Sequence, residues 1–290
     1  MISVITCVWN RENERIQNCI DYLKDQVDEI IVVDYGSDEP IKINNAKIIR
    51  YDKNPVFNKS HALNLGIKAA KNKFIMCVDC DMIIPEDVVS DIKNTLIDDA
   101  TFIINTNVNR INKGDIGNWD KAFPWHKENI GMNRARSSAN GGMQVFSKEW
   151  VEEIHGYDEQ FILLGCMDND MVNRAVFSEM RIIDVNMPIY HQEHEKKKGD
   201  VFGKENEEKV NFITNEKLHY YIEKTNNMIV KNPGPWGEDE PNQDKFISLW
   251  TNWDETFPAL QDKREKMLQE IKNFIIEKKI PIKKMDVKWK

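Results

Sequence analysis

Several features that mark membrane, secreted or nucleic-acid-binding proteins are missing from this sequence. No apolar run reaches about 18 residues, the length that a membrane-spanning helix requires. Residues 1–14 contain neither a basic leader nor a small-residue cleavage site, so no signal peptide is expected. The net charge of −8 disfavours nucleic-acid binding over the whole surface. The cysteines are odd in number and scattered at positions 7, 19, 77, 80 and 166, which favours a reducing, cytoplasmic location over a disulfide framework.

The first half of the chain alternates apolar runs with segments of helical spacing. The runs "SVITCV", "EIIVVD", "AKIIRYD", "FIMCVD" and "TFIINTNV" (101–108) predict strands, and residues 58–72 have the apolar spacing of a helix. Such alternation predicts βαβ units and a mostly parallel sheet, which is the α/β fold class. Because ligands of these sheets bind beyond the carboxyl ends of the strands, the polar residues there are the candidate site residues.

The run "FIMCVDCDM" ends in two aspartates one residue apart, Asp79 and Asp81. On an extended backbone this spacing puts both carboxylates on the same side, where they repel unless a cation lies between them. A hard divalent cation fits the pattern, and so does a solvated turn or a helix N-cap before Pro85. The neighbouring Cys77 and Cys80 point to opposite faces of the predicted strand, so core packing is favoured over a thiol or zinc site.

Histidines and further acids follow later predicted elements. His191 and His194 have the spacing HxxH after a strand-like run. They are either surface residues or, together with the aspartate pair, ligands of Mn²⁺, which accepts imidazole, carboxylate and phosphate oxygen. Asp168 and Asp170 precede a predicted helix, either as acids that the helix dipole favours or as the position of a general base. The residues alone leave both alternatives open.

These stretches resemble, in the same order, the nucleotide-sugar-dependent glycosyltransferases of the GT-A fold, family 2 type. The similarity covers residues 1–205 and includes "VITCVWNRENE", "IIVVDYGSDE" and "VDCDM". The stretches "VFNKSHALNLGIKAAKNKFIMCVDCDMIIPED" and "NGGMQVFSKEWVEEIHGYDEQFILLGCMDND" resemble the donor-binding regions of β-1,4-galactosyltransferases and chondroitin-polymerizing enzymes. "YHQEHEKKKGDVFGKENE" is similar to a segment of the chondroitin enzymes. The resemblance implies a GT-A domain and a UDP-sugar donor.

The resemblance also implies which residues bind the donor. The carboxylate of Asp34 would accept a hydrogen bond from the uracil imide, and Phe57 and Lys59 would contact the uridine diphosphate. Gly141 and Gly142 would let the backbone approach the donor sugar.

A second set of implied roles concerns the metal and the base. Asp81 would be the direct metal ligand, and Asp79 would touch the ribose or the metal. His191 would complete the metal shell, because "YHQE" sets the register in its favour over His194. Asp168 would be the catalytic base.

The chain departs from the family just before that base. The family often has Trp-Gly-Gly-Glu-Asp there, whereas residues 164–168 read Leu-Gly-Cys-Met-Asp. The missing tryptophan removes a stacking surface for sugars, and the missing glutamate removes an acceptor for sugar hydroxyls. The donor and acceptor preferences of the family therefore do not transfer.

Together these observations predict an inverting glycosyltransferase of polysaccharide biosynthesis that depends on Mn²⁺ or Mg²⁺. It would move a hexose or N-acetylhexosamine from a UDP-sugar to a hydroxyl of a glycan or other acceptor. The segment 112–140 is expected to close over the donor. One alternative is a metal-dependent nucleotidyltransferase, which the lack of a glycine-rich phosphate loop after the first strand disfavours. The other is a noncatalytic, glycosyltransferase-like partner subunit.

The sequence beyond the catalytic region has a different character. Residues 206–290 are predicted to form a mainly helical extension, with an amphipathic helix over 260–279. This extension either packs on the catalytic domain and buries its tryptophans, or forms an acceptor platform or a peripheral contact with anionic lipid through the basic segment 278–290.

Overall fold

The structure of the protein is a computed structural model that describes residues 1–53, 56–96, 98–124, 142–163, 165–194, 206–224 and 228–253. Its central sheet consists of β1 (Ile2–Val8), β2 (Glu29–Asp34), β3 (Lys47–Arg50), β4 (Phe74–Val78), β6 (Thr101–Ile104), β9 (Met143–Ser147) and β10 (Arg181–Asp184). The strand order is β10-β6-β9-β4-β1-β2-β3. Neighbouring strands are parallel except for β9, which is antiparallel to both β4 and β6. The predicted α/β fold with a mostly parallel sheet is therefore confirmed.

A second, smaller sheet lies beside the central one. It consists of β5 (Met82–Ile83), β7 (Val108–Ile111), β8 (Phe123–Pro124) and β11 (Ile189–Gln192), in the order β5-β11-β7-β8. The prediction of one strand over 101–108 is wrong, because β6 and β7 belong to different sheets. The chain turns between them because the side-chain oxygen of Asn105 accepts from the backbone N–H of Asn107.

The described helices follow the predicted alternation. They are α1 (Asn13–Leu23), α2 (Lys59–Ala69), α3 (Glu86–Thr95), α4 (Lys148–Glu153), α5 (Met167–Phe177), α6 (Glu207–Lys224) and α7 (Asp244–Thr251). Side-chain caps fix the starts of two of them. Asn58 accepts from the backbone N–H of His61 at α2, and Ser147 accepts from that of Trp150 at α4.

Two apolar layers cover the two faces of the central sheet. Along β1, Ile5 and Cys7 belong to one layer, while Val4 and Val8 belong to the other. Cys77 and Cys80 divide in the same way, one into each layer, and both thiols are buried. The packing role predicted for these cysteines is confirmed.

The C-terminal helices pack against the rest of the chain through a small apolar cluster. Phe212 of α6 and Phe246 of α7 lie there with Ile162 and Leu163, which precede α5. Within the part of the chain that is described, no helix has the length and apolar character needed to cross a membrane. The predicted helix 260–279 and the basic segment 278–290 lie outside the described residues, and the domain boundary at 205/206 stays a prediction.

The carboxyl ends of the central parallel strands define one edge of the sheet. Trp9 follows β1, Asp34 ends β2 and Asp79 follows β4. Because β9 runs in the opposite direction, its beginning lies at this edge too. The carbonyl of Gly142 there accepts from the backbone N–H of Asp79 at 3.3 Å.

Candidate active site

Three potential metal ligands come together at this edge. Asp81, His191 and His194 place ligand atoms within 4.8 Å of one another. The Nε2 atoms of His191 and His194 lie 3.3 and 3.4 Å from Oδ2 of Asp81. Burial alone would raise the pKa of Asp81, but the adjacent imidazoles outweigh burial and hold that pKa well below its usual range. The geometry thus groups both histidines with Asp81.

The backbone around these ligands is held by the second sheet and by α1. His191 of β11 pairs with Met82 of β5, and the N–H of Gln192 donates to the carbonyl of Asp81 at 2.9 Å. The guanidinium of the buried Arg15 donates to the carbonyls of Gln192 and Glu193, at 3.0 and 3.3 Å. The residues between the two histidines are therefore anchored to a helix, which fixes the direction of both imidazoles.

Asp79 does not join this cluster in the structure. Its Oδ1 lies 2.7 Å from Nζ of Lys59, and the same ammonium lies 3.5 Å from Oδ1 of Asp168. Burial would lower the pKa of Lys59, but Asp168 and Asp79 outweigh burial and raise it well above its usual value. A charged lysine thus bridges the first aspartate of the pair and the predicted base. The metal or ribose contact of Asp79 stays a prediction.

Asp168 lies in the first turn of α5, as predicted, and its position is fixed by the neighbouring strand. Its carbonyl accepts from the side-chain amide of Gln144 at 2.9 Å, and Gln144 in turn accepts from the hydroxyl of Tyr157 at 2.8 Å. Together with Lys59 and Asp79 these residues line a small pocket. Its lining is completed by Leu63, Cys77 and Val78.

The turn before Asp168 has an unusual backbone. Leu163, Gly165 and Cys166 have φ angles of 63°, 95° and 71°. Non-glycine residues rarely adopt this left-handed region, and such strain is concentrated at functional sites. The turn is held in place because the N–H of Leu163 donates to the carbonyl of Phe57, and Nζ of Lys217 donates to that of Ile162.

Asp34 lies at the predicted edge of the sheet, where its carboxylate already accepts several hydrogen bonds. It is 1% exposed, and it accepts from Arg50 at 2.7 Å and from the backbone N–H groups of Ser37 and Ile41. These contacts close the turn after β2. The predicted bond to the uracil imide stays a prediction, and it requires release of a carboxylate oxygen from one of these donors.

An aromatic pair lies near the same edge of the sheet. The rings of Phe57 and Trp9 are stacked, with centroids 5.8 Å apart and planes at 8°. Trp9 is the residue that sequence reasoning missed. Its signal was available, because it is the aromatic residue that directly follows the first strand at the ligand edge.

Of the glycines predicted near the donor sugar, Gly142 lies beside Asp79, and Gly141 lies outside the described residues.

Comparisons with known proteins agree with this geometry. The family model described as glycosyl transferase family 2 matches residues 3–154, and the model of the N-terminal domain of galactosyltransferase matches residues 126–198. Comparison with curated protein sequences gives no match.

Solved structures with a similar fold are glycosyltransferases. S. aureus TarS 1–349, in complex with UDP-GlcNAc, is 11% identical, with 94% of this chain and 80% of that chain covered and a TM-score of 0.53. The mannosyltransferase PcManGT from Pyrobaculum calidifontis, in complex with GDP-Man and Mn²⁺, is 16% identical, with a TM-score of 0.49. That match covers 77% of this chain and 63% of the mannosyltransferase. The fold is that of GT-A glycosyltransferases, and the chain belongs to glycosyl transferase family 2.

Proposed function

We propose that the chain is an inverting, metal-dependent glycosyltransferase that moves a hexose or N-acetylhexosamine from a UDP-sugar to a hydroxyl of a glycan. The observation that carries the proposal is that a group of potential metal ligands and the proposed base meet at the same sheet edge. Asp81 groups with His191 and His194, and Asp79, two residues before Asp81, shares the ammonium of Lys59 with Asp168.

The residues of the first group fit Mn²⁺. One carboxylate and two imidazoles form a mixed oxygen and nitrogen donor set, which suits Mn²⁺ better than Mg²⁺, whose preferred ligands are oxygens. The lowered pKa of Asp81 keeps its carboxylate charged at neutral pH, as a metal ligand must be. When bound, the ion supplies positive charge to the leaving diphosphate.

The chain's own residues account for the other requirements of transfer. The ammonium of Lys59 is available to the donor diphosphate, and a phosphate that attracts it draws it away from Asp168. Asp168 then accepts the proton of the acceptor hydroxyl as that oxygen bonds to the anomeric carbon. The bond from the anomeric carbon to the diphosphate breaks on the opposite face, which inverts the configuration. Phe57 and Trp9 offer a flat aromatic surface for the base.

The choice of a UDP-sugar rests on the resemblance of residues 56–87 to the donor-binding regions of UDP-sugar enzymes. TarS, which has the same fold, was solved with UDP-GlcNAc, and PcManGT with GDP-Man and Mn²⁺. We extend the first of these donor classes to this chain. On the same basis we propose a catalytic unit at 1–205 and a glycan acceptor.

The proposal is tested by transfer and binding assays. UDP release from a panel of UDP-hexoses and UDP-N-acetylhexosamines is measured with a glycan acceptor mixture, in Mn²⁺ and in EDTA. Asp168→Asn is expected to lower kcat about 10²- to 10⁴-fold while donor binding is retained. Glu86→Gln, an exposed acid in the first turn of α3, is the matched control and leaves kcat unchanged. Near wild-type transfer by Asp168→Asn, or release of pyrophosphate from UTP instead of UDP from the sugars, would refute the proposal.

A further inference from the structure

Residues 228–243, which we call the strap, run without helix or strand between α6 and α7. The proposed reaction assigns them no role, and they lie outside residues 1–205, whose sequence resembles the glycosyltransferases. Yet the strap contains several buried residues, among them Lys231, Asn232 and Trp236, and its polar groups are bonded to residues 155–159.

The first anchor of the strap is Asn232. Its side-chain amide donates to the carbonyls of His155 and Tyr157 at 2.6 and 2.8 Å, and its oxygen accepts from the backbone N–H of Glu159. Its carbonyl is also 2.7 Å from Nδ1 of His155. Asn232 thus bonds several backbone groups of one neighbouring segment, as a paired strand would. These bonds attach the strap to the loop after α4.

The second anchor is Glu159, whose buried carboxylate joins the strap to α2. Its Oε1 accepts from the amide of Asn64 on α2 at 2.8 Å and from the backbone N–H of Gly237 at 2.7 Å. Its Oε2 accepts from the backbone and the side chain of Asn242, at 2.7 and 3.0 Å. A buried carboxylate requires several donors, and here the strap supplies most of them.

The strap lies directly on the backbone of α2. Gly237 has a φ of +61°, and a Cβ at this position would lie 2.8 Å from the carbonyl oxygen of Asn64. The ring of Trp236 fills the space beside Gly156, where a Cβ would lie 2.6 Å from the ring. Contact this close needs a residue without a side chain at position 237.

From the strap, contacts lead to the aromatic pair Trp9–Phe57. The carbonyl of Glu238 is 2.5 Å from Nε2 of His61, so this nitrogen donates. Nδ1 of the neutral ring then accepts from the hydroxyl of Tyr35 at 2.9 Å. The ring of Tyr35 packs edge-on against Phe57, with centroids 5.7 Å apart, and Phe57 stacks on Trp9.

We propose that the strap positions the N-terminal part of α2 and the aromatic pair Trp9–Phe57 for a nucleoside diphosphate. It does so through Glu159 and His61, which are positioning residues. The inference rests on the proposed function. The strap's described contacts do not include the cluster of Asp81, His191 and His194, so its displacement affects nucleotide binding and leaves the cation site intact.

The test uses two glycines of the strap as a matched pair in the full chain. In Gly237→Ala the new Cβ meets the α2 backbone, whereas Gly234→Ala places it in open space. UDP binding in saturating Mn²⁺ is measured by calorimetry, and Mn²⁺ binding by electron paramagnetic resonance. Gly237→Ala is expected to weaken UDP binding about tenfold or more, with Mn²⁺ binding unchanged, and Gly234→Ala is expected to match the wild type.

A second pair keeps the proposal testable if Gly237→Ala fails to fold. His61→Ala removes the donor to Glu238 and is expected to weaken UDP binding with Mn²⁺ binding unchanged. His61→Gln carries an amide N–H at nearly the position of Nε2 and is expected to restore most of the affinity. Wild-type UDP affinity in folded Gly237→Ala or in His61→Ala overturns the role of the strap while the proposed function stands. A wild type that binds Mn²⁺ but no UDP refutes the proposed donor itself.

Discussion

Lys217 is a buried lysine whose replacement gives a quantitative test of the packing of α6. It is 0% exposed, and its ammonium donates to the carbonyl of Ile162 at 2.7 Å. Burial lowers the pKa of Lys217 from 10.5 to about 8. Because one pKa unit corresponds to about 1.4 kcal/mol, the charged ammonium costs the folded state about 3 kcal/mol.

The sign of the pH dependence follows from proton binding. Below pH 8 the lysine is charged in both states, so the full cost is present. Between pH 8 and 10.5 the unfolded chain holds a proton that the folded chain has lost, so this residue's contribution to stability rises with pH. Lys217→Met removes that rise and leaves the Ile162 carbonyl without this donor, which costs about 1–3 kcal/mol at every pH.

Urea unfolding at pH 7 and pH 9.5 measures the effect. Relative to the wild type, Lys217→Met is expected to be neutral or slightly more stable at pH 7. At pH 9.5 its stability relative to the wild type is expected to be about 2 kcal/mol lower than at pH 7, because pH 9.5 lies about 1.5 units above the pKa of Lys217 in the folded state. Lys47→Met, at an exposed position on β3, controls for deletion of a solvated lysine. An unchanged difference between variant and wild type at the two pH values would show that Lys217 is solvated in the folded state.

Three further predictions concern the site and its surroundings. Arg15→Ala should weaken Mn²⁺ binding about 10- to 100-fold by calorimetry, because it releases the backbone between the histidines, and Arg15→Lys should restore part of the loss. Lys59→Met should abolish measurable UDP affinity in calorimetry but keep Mn²⁺ binding. Burial and Asp170 raise the pKa of Asp158 to about 6, so the contribution of this residue to stability falls as pH rises from about 4 to 6. Asp158→Asn should flatten this fall in urea unfolding, with a gain of up to about 3 kcal/mol above pH 6.

The parts of the site that follow from strand ends were predictable from the sequence. Asp79 and Asp81 follow β4, and the HxxH spacing placed His191 and His194 at and just after the end of β11. Asp168 lies instead at a helix start, in the first turn of α5. These inferences succeed because strand direction alone brings carboxyl ends together. That both histidines lie beside Asp81 could not be predicted in this way. Their position depends on Arg15, which bonds the backbone between them from a distant part of the chain.

Other features depend on tertiary contacts that no local pattern encodes. Asp79 pairs with the ammonium of Lys59 and does not join Asp81. Asp168, more than 80 residues later in the chain, places a second carboxylate beside the same ammonium. Residues 101–108 are predominantly apolar or β-branched, but the side chain of Asn105 bonds the backbone of Asn107, and the chain divides there between two sheets. The proline-rich segment 232–244 indicates a break in helix, and its docking on α2 depends on the buried Glu159.

Because β9 runs opposite to its neighbours, its two ends lie at opposite edges of the sheet, and insertions at the two ends have different consequences. At its start, Met143 pairs with Val78 beside the aspartates, while at its end Ser147 pairs with Phe74 at the opposite edge. There the N–H of Lys148 donates to the carbonyl of Lys73, far along the strands from any candidate ligand. Changes of length just before β9 therefore act at the edge that carries the candidate ligands, whereas changes just after it act at the opposite edge. The exposed side chain of Lys71, at that opposite edge, is the place for a label far from the candidate site.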